Sequence, residues 1–303
     1  MRQSEDITIG QKTNFKVRVV FFSGTGCTAL CVKALSASLA ARGCSVICDE
    51  LRVGGCKGNA FDEDLLVIMY PVHAFDAPTP VYEFLAQMPE GKGKNIAVIA
   101  TSGAGEMFPN RASRFEVCRQ LEAKRYRIVF EDMIPMPSNW IVPTPEDAAV
   151  ALLQRLPATC KNIATDLLAG NEKRLHAPLG DRIFSKIAIL EKGKMGQIRF
   201  GEKITPTEAC TLCGWCSRNC PRNNIEQTQE GLRFGSSCVL CLRCIYGCPH
   251  QALKPGFAKF IAIKEGFSLN ALKGREQADI DSALAQTNKL VWKGVYRYLR
   301  EDD

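Results

Sequence analysis

The chain has 303 residues, of which 46% are hydrophobic and 23% charged, with a net charge of +7. This is the balance of a soluble globular protein long enough for about two domains, and it excludes a disordered or fibrous chain. No apolar run reaches the roughly 18 residues a membrane span needs. Met1 to Lys16 lacks the apolar stretch of a signal peptide, so a cytoplasmic location is expected.

The first 168 residues are charge-neutral, and the whole positive excess lies in the second half. A basic half invites a nucleic-acid reading. The Cys content points elsewhere, and no nucleic acid is expected as a partner. There are 15 Cys, and seven of them (Cys27, Cys31, Cys44, Cys48, Cys56, Cys118 and Cys160) are scattered through helix and strand patterns of the first 160 residues. An odd, scattered set is not the frame of a secreted disulfide protein, and it points to a reducing cytoplasm, as in an anaerobe.

In chain order, Lys16 to Phe22 is β-branched and aromatic and is expected to form a buried strand. Ser23-Gly24-Thr25-Gly26-Cys27-Thr28 follows, then a helical pattern from Ala29 to Arg42. A strand, a Gly- and hydroxyl-rich turn and a helix make an anion site, because the N–H groups at a helix start are unpaired and its dipole favours negative charge. The plain alternative is a capping turn rich in Ser and Thr. The dinucleotide fingerprint is absent, since Ala29 stands where its third glycine would be.

Gly43 closes the helix. Cys44 to Cys48 is a second strand, Gly54 to Asn59 a loop, and Leu65 to Tyr70 an apolar run suited to a central parallel strand. It runs into Pro71-Val72-His73-Ala74-Phe75-Asp76-Ala77-Pro78, a loop at a strand's carboxyl end, where open α/β sheets bind ligands. Val81 to Met88 is a short helix and Asn95 to Ala100 a fourth strand. The small residues Thr101-Ser102-Gly103-Ala104-Gly105 then allow backbone to approach a flat ring. Arg111 to Lys124 is helical, Tyr126 to Asp132 a fifth strand, Met133 to Pro145 a Pro-rich loop with Trp140, and Asp147 to Leu168 a last helix.

Residues 15–168 therefore resemble the flavodoxins, in a doubly wound five-stranded parallel sheet of order 2-1-3-4-5. The turn Ser23 to Thr28 matches their Thr/Ser-x-Thr-Gly-x-Thr phosphate loop, with Cys27 at the variable position. The resemblance implies FMN, its phosphate on Ser23 to Thr28 and its ring against Pro71 to Phe75, Thr101 to Gly105 and Trp140. His73, Phe75, Met107, Phe108 and Trp140 are candidates to pack on the ring, and Trp140 is equally suited to anchor its loop in the core. His73 is a candidate to tune the flavin or donate a proton, being the side chain that titrates near neutral pH. Cys27 and Cys31 are four apart on one helix face, either a redox pair or small core residues.

Residues 169–203 form a basic linker, with apolar residues at helical spacing from Ile183 to Leu190 that suggest a helix docking between domains. Next come two runs, Cys210-x2-Cys213-x2-Cys216-x3-Cys220-Pro221 and Cys238-x2-Cys241-x2-Cys244-x3-Cys248-Pro249, with seventeen residues between Cys220 and Cys238. Thiolates are the soft ligands that iron–sulfur clusters require. The alternative is a pair of zinc ribbons, but zinc sites use four ligands per ion and do not need the third Cys of a triplet or the trailing Cys-Pro. The doubled spacing resembles the bacterial ferredoxins closely, over residues 204–256. That resemblance implies two 4Fe–4S clusters with the fourth Cys of each run crossing over, so that Cys210, Cys213, Cys216 and Cys248 hold one and Cys238, Cys241, Cys244 and Cys220 the other. Ile225 to Phe234 fits the ferredoxin hairpin, turning at Gln229 to Gly231. The charge of two clusters also offsets the basic half.

Residues 257–303 are a C-terminal extension with helical spacing from Asp279 to Tyr298. The expected architecture is thus an α/β flavodoxin-like sheet, a small α+β two-cluster ferredoxin domain and a C-terminal helical segment. The whole resembles flavodoxin–ferredoxin fusion proteins. This implies an electron relay between FMN and the clusters, with redox proteins, acidic ones among them, as partners. No catalytic acid, base or nucleophile stands out. The alternatives are an iron–sulfur flavoprotein reductase of a quinone or nitro compound, and an oxygen sensor.

Overall fold

A computed structural model describes residues 14–54, 61–175, 178–184, 186, 197–256, 259–275 and 278–301. Cys56, Lys192 and Lys194, and most of the helix expected at 183–190, lie outside the described residues.

The alternation of β3 (Leu65–Pro71) decides the architecture. Leu65, Val67 and Met69 enter one buried apolar cluster, while Leu66, Ile68 and Tyr70 enter another. Successive side chains of a strand point to opposite faces, so both faces of this strand must be covered. With β1 (Lys16–Phe21), β2 (Ser45–Glu50), β4 (Asn95–Ser102) and β5 (Arg127–Pro135) it forms a parallel sheet in the order β2-β1-β3-β4-β5. On one face α1 (Cys27–Ala40) packs against α4 (Glu146–Ala169), burying Leu35, Leu39 and Ile163. On the other, α2 (Thr79–Gln87) and α3 (Phe115–Ala123) bury Val81, Phe84 and Leu121. This is the flavodoxin-like doubly wound fold. Its strand order reverses between β1 and β3, which opens a crevice at their carboxyl ends.

The helix expected from Arg111 begins as a 3-10 turn, Asn110–Arg114. Arg114 explains it: only 1% exposed, the guanidinium donates two 2.9 Å hydrogen bonds to Glu106 and lies 3.8 Å from Glu131. The two bonds to Glu106 tie this turn to the loop after β4. Arg114→Met should lower stability by about 1–3 kcal/mol, because Glu106 is partly exposed and Glu131 keeps Arg174, readable as a drop in calorimetric Tm.

The chain after α4 adds to the sheet edge rather than only linking domains. Lys173 exchanges backbone hydrogen bonds with Val129 and Glu131 of β5, at 3.1 and 2.7 Å, so part of that edge is covered. Residues 179–184 are helical and are tied to the sheet domain by Arg111 and Asp181, 2.9 Å apart.

The remainder is built from short pieces: α5 (Gln197–Glu202), β6 (Ile204–Pro206), α6 (Trp215–Asn219), β7 (Ile225–Thr228), β8 (Gly231–Phe234), α7 (Arg243–Gly247) and β9 (Leu253–Pro255). β6 pairs antiparallel with β9, and β7 with β8 in the expected hairpin. The extension does not form a single helix over 279–298. It contains α8 (Leu269–Lys273), α9 (Ile280–Thr287), a 3-10 turn at Leu290–Trp292 and α10 (Lys293–Arg300). Ala283, Trp292, Val295 and Leu299 of this segment all bury against Ala148, Ala151 and Leu152 of α4. Two short helices folded onto one long one keep a helical period of apolar residues, so the break was not visible in it.

Candidate functional site

The turn after β1 lies at the crevice. Gly26, which has no capping side chain of its own, caps α1 with a left-handed backbone (φ 104°), and the first turn carries no acidic residue. Ser23 takes one N–H of that turn, and the others, with the dipole, remain available to an anion. Ser23 Oγ accepts a 3.3 Å hydrogen bond from the Ala29 N–H, and the Thr28 hydroxyl pairs with that of Thr101 at 2.8 Å, joining the first and third loops. Asn139 donates its amide to Thr25 Oγ1, bringing in the Pro-rich loop.

Between these elements lies a cleft of about 630 Å3, open to solvent. Ser23, Gly24, Thr25, Cys27, Thr28, Pro71, Val72, His73, Thr101, Ser102, Gly103 and Trp140 line it, all expected from the sequence. Met136 to Asn139 and, from the far half of the chain, Leu240, Cys241 and Leu242 complete it. Gly26, Ala74, Phe75, Ala104 and Gly105, expected alongside, are not in its lining. Phe75 turns away with Phe108, both packing edge-on against Phe184 at 5.3 and 5.5 Å. Ala104 and Gly105 meet the C-terminal helix, where a Cβ on Gly294 would lie 2.3 Å from the Ala104 carbonyl. The extension therefore occupies the outer part of the third loop.

His73 lines the cleft with its ring edge-on to Phe22, 6.0 Å between centroids. Behind it the buried Asp76 accepts a 2.5 Å hydrogen bond from Tyr82. Burial first, and then Asp76, push the Tyr82 phenol far up. Burial pushes the Cys27 thiol up to about 12 and Cys31 well above its ordinary value, the latter further raised by Cys160 and Cys27. Both stay protonated, and Cys160 points its thiol at the Cys31 carbonyl, 3.7 Å away, as core residues do.

The eight Cys of the second half sort into two sets. Cys210, Cys213, Cys216 and Cys248 line one cavity, partly open to solvent and about 300 Å3 with that open space included. Cys220, Cys238, Cys241 and Cys244 line another of about 400 Å3 on the same count, walled by Phe200, Ile204, Ile225 and Phe234. The last Cys of each run thus stands with the other run's triplet. The two loops share one backbone pattern: Leu212 and Leu240 (φ 52° and 55°), then Gly214 and Leu242 (φ 73° and 57°), are left-handed. That region costs a leucine about 1–2 kcal/mol, a strain tolerated where the loop conformation serves a purpose. Three sulfurs accept backbone hydrogen bonds: Cys220 from Asn224 and Cys248 from Ala252, both 3.3 Å, and Cys238 from Leu240 at 3.4 Å. Burial raises the Cys238 thiol to about 12 and Cys244 well above its usual value. A metal group binding there must therefore displace protons from these thiols. Among the described residues no three of Cys, His, Asp or Glu converge tightly enough for a single metal ion.

The two halves meet through the second set. Val239 is buried, 4% exposed, in the sheet's own core cluster, and Cys241 packs beside it. Cys241 and Leu242 line both the cleft and the 400 Å3 cavity. Arg243 donates to the Gly24 carbonyl at 2.9 Å, to the Ser23 carbonyl and Glu50 carboxylate, and to Asn219 O at 3.3 Å. Arg222 clamps Glu83 of α2 through two hydrogen bonds of 2.5 and 2.8 Å. Sequence reasoning passed over Arg243, Leu240 and Leu242 because they occupy the variable positions of the Cys spacing. It passed over Asn139 as well, an ordinary polar residue of the Pro-rich loop.

Among the described residues no helix is long and apolar enough to cross a membrane. The chain matches no protein-family model and no curated protein. Solved structures are similar to parts of it. Flavodoxin 1 from Bacillus cereus is 14% identical over 52% of this chain and 99% of its own, with a TM-score of 0.39. General stress protein 14 of Treponema denticola, solved in complex with FMN, is 13% identical over 50% of this chain and 97% of its own, with a TM-score of 0.38. Rubredoxin oxygen:oxidoreductase from the anaerobe Desulfovibrio gigas is 20% identical over 53% of this chain and 38% of its own, with a TM-score of 0.38.

Proposed function

We propose that the chain is an electron-transfer protein that carries FMN in the cleft and a 4Fe–4S cluster in each Cys-lined cavity. The observation that carries this reading is the shared wall: Cys241 and Leu242 line both the cleft and one thiol cavity. Bound FMN exchanges electrons singly or in pairs and each cluster exchanges one, which lets a single chain convert between the two kinds of traffic.

The residues present fit these groups. The hydroxyls of Ser23, Thr25 and Thr28, with the remaining N–H groups at the start of α1, suit a phosphate monoester. The small residues of Thr101 to Gly103, with Val72, His73 and Trp140, leave room for a flat ring against the backbone. Cys220, Cys238, Cys241 and Cys244 would hold the inner cluster, and Cys210, Cys213, Cys216 and Cys248 the outer one. The backbone N–H groups directed at Cys220, Cys238 and Cys248 support thiolate there, since such hydrogen bonds stabilise negative sulfur. Cys213 is exposed and Leu212 is 40% exposed, so the outer set is within reach of a separate redox protein. In this assignment residues 15–168 form the flavin domain, 204–256 the cluster domain and 257–303 a brace for both.

Anaerobically purified protein should hold about eight iron, eight sulfide and one FMN per chain, counted chemically alongside the visible spectrum. Zinc in place of iron, or no flavin, would overturn the reading. Steady turnover of a small quinone with no protein partner would favour a reductase instead.

A further inference from the structure

Resting on the reading of the cleft as a flavin phosphate site, we infer that Arg243 is a positioning residue for that phosphate, supplied to the loop from the cluster domain. Arg243 lies two residues after Cys241 and one before Cys244, 219 residues from Gly24, yet its Nε donates to the Gly24 carbonyl at 2.9 Å. A second nitrogen donates to the Ser23 carbonyl and to Glu50. A trans peptide is planar, and its N–H points opposite to its C=O. Fixing the carbonyls of Ser23 and Gly24 on Arg243 therefore turns the N–H groups of Gly24 and Thr25 away from it. Ser23, Gly24 and Thr25 line the cleft and Arg243 does not. The guanidinium thus stands behind the loop and aims its donors toward the space in front.

The alternative role, direct attraction of an anion by the Arg charge, is weakened by Glu50, which pairs with the same guanidinium. Orientation remains as the contribution. Gly24 is part of the same device: a Cβ there would lie 2.6 Å from the Cys241 carbonyl, so the loop comes within reach of Arg243 only because residue 24 has no side chain. Anion binding at the first loop then depends on the Cys238 to Cys244 loop being folded in place. The ligand class is a phosphate monoester, and the flavin ring has no part in this contact.

The test compares two flavins that differ only in the phosphate. Full-length protein is prepared anaerobically with its iron retained, stripped of flavin, and titrated with FMN and with riboflavin by fluorescence quenching. In Arg243→Gln, FMN affinity should fall about ten- to a hundredfold, as for loss of charge-assisted hydrogen bonds, with riboflavin affinity held within about twofold. Arg243→Lys, which keeps one charged donor, should fall between. Equal weakening of both flavins would mean a merely structural role, and unchanged FMN binding would mean no role; either overturns the inference. An Arg243→Gln chain that loses its iron is replaced by Arg243→Lys, whose FMN-to-riboflavin ratio must still drop. A wild-type chain that binds iron but neither flavin fails the functional reading itself, and this inference with it.

Discussion

Cys220→Ala should empty the cavity of the second Cys run of its proposed cluster, leaving the one proposed for its own run in place. Cys220 lines the 400 Å3 cavity with Cys238, Cys241 and Cys244, and Cys248 lines the other with Cys210, Cys213 and Cys216. Cys220→Ala and Cys241→Ala should each lower iron from about eight to about four per chain, and the double variant should lose no more than either single one. Cys220→Ala combined with Cys213→Ala should lose nearly all of it. Such non-additivity within a set and additivity between sets is how shared ligation shows in a double-mutant cycle. Pairing by sequence would give the reverse pattern, with Cys220→Ala and Cys213→Ala equivalent, and would refute the crossed arrangement. Cluster binding contributes folding free energy, so each single variant should also lower Tm.

Gly24→Ala should damage the contact between the two halves with one methyl group. Its Cβ would sit 2.6 Å from the Cys241 carbonyl oxygen and 3.2 Å from the Cys241 Cβ. Both neighbours belong to a loop held by Arg243, Val239 and the left-handed Leu240 and Leu242, so the cost cannot be relieved by swinging a side chain. Overpacking of this kind costs about 1–3 kcal/mol. The expected result is a lower Tm, weaker FMN binding and slower equilibration between flavin and iron absorbance after a reducing pulse, with iron content intact. Gly180→Ala is the control: a Cβ at that helical position meets no atom within 4 Å, and Ala should be neutral or stabilising by up to about 1 kcal/mol. Equal effects from the two substitutions would rule out the tight approach of Gly24 to Cys241.

Much of the first half was legible in the chain because its signals are local. The apolar run Leu65 to Tyr70 suits a strand covered on both faces, and it is one, buried throughout. The hydroxyl-rich turn Ser23 to Thr28 needs only its neighbours to form. Loop ends were less legible. Phe75 and Phe108 have the composition of ring-stacking residues, but Phe184 competes for them, and that choice is made by a segment more than seventy residues away. Likewise, a Cβ on Gly105 would lie 2.9 Å from the backbone of Gly294, so the small residue there answers to the C-terminal segment as well as to any flat ring in the cleft.

What the sequence alone determined is the sheet with its crevice and the doubled Cys spacing, since period and short spacing act over a few residues. Tertiary structure decided which Cys share a cavity, how the C-terminal helices brace α4, and that Cys241 is the wall between cleft and cavity. It also placed Arg243 behind the first loop. These arrangements depend on residues up to 220 positions apart, whose pairing is set by burial of Val239 and by carbonyls that need a donor. No local pattern encodes such a meeting, because the side chains involved are ordinary until the fold brings them together.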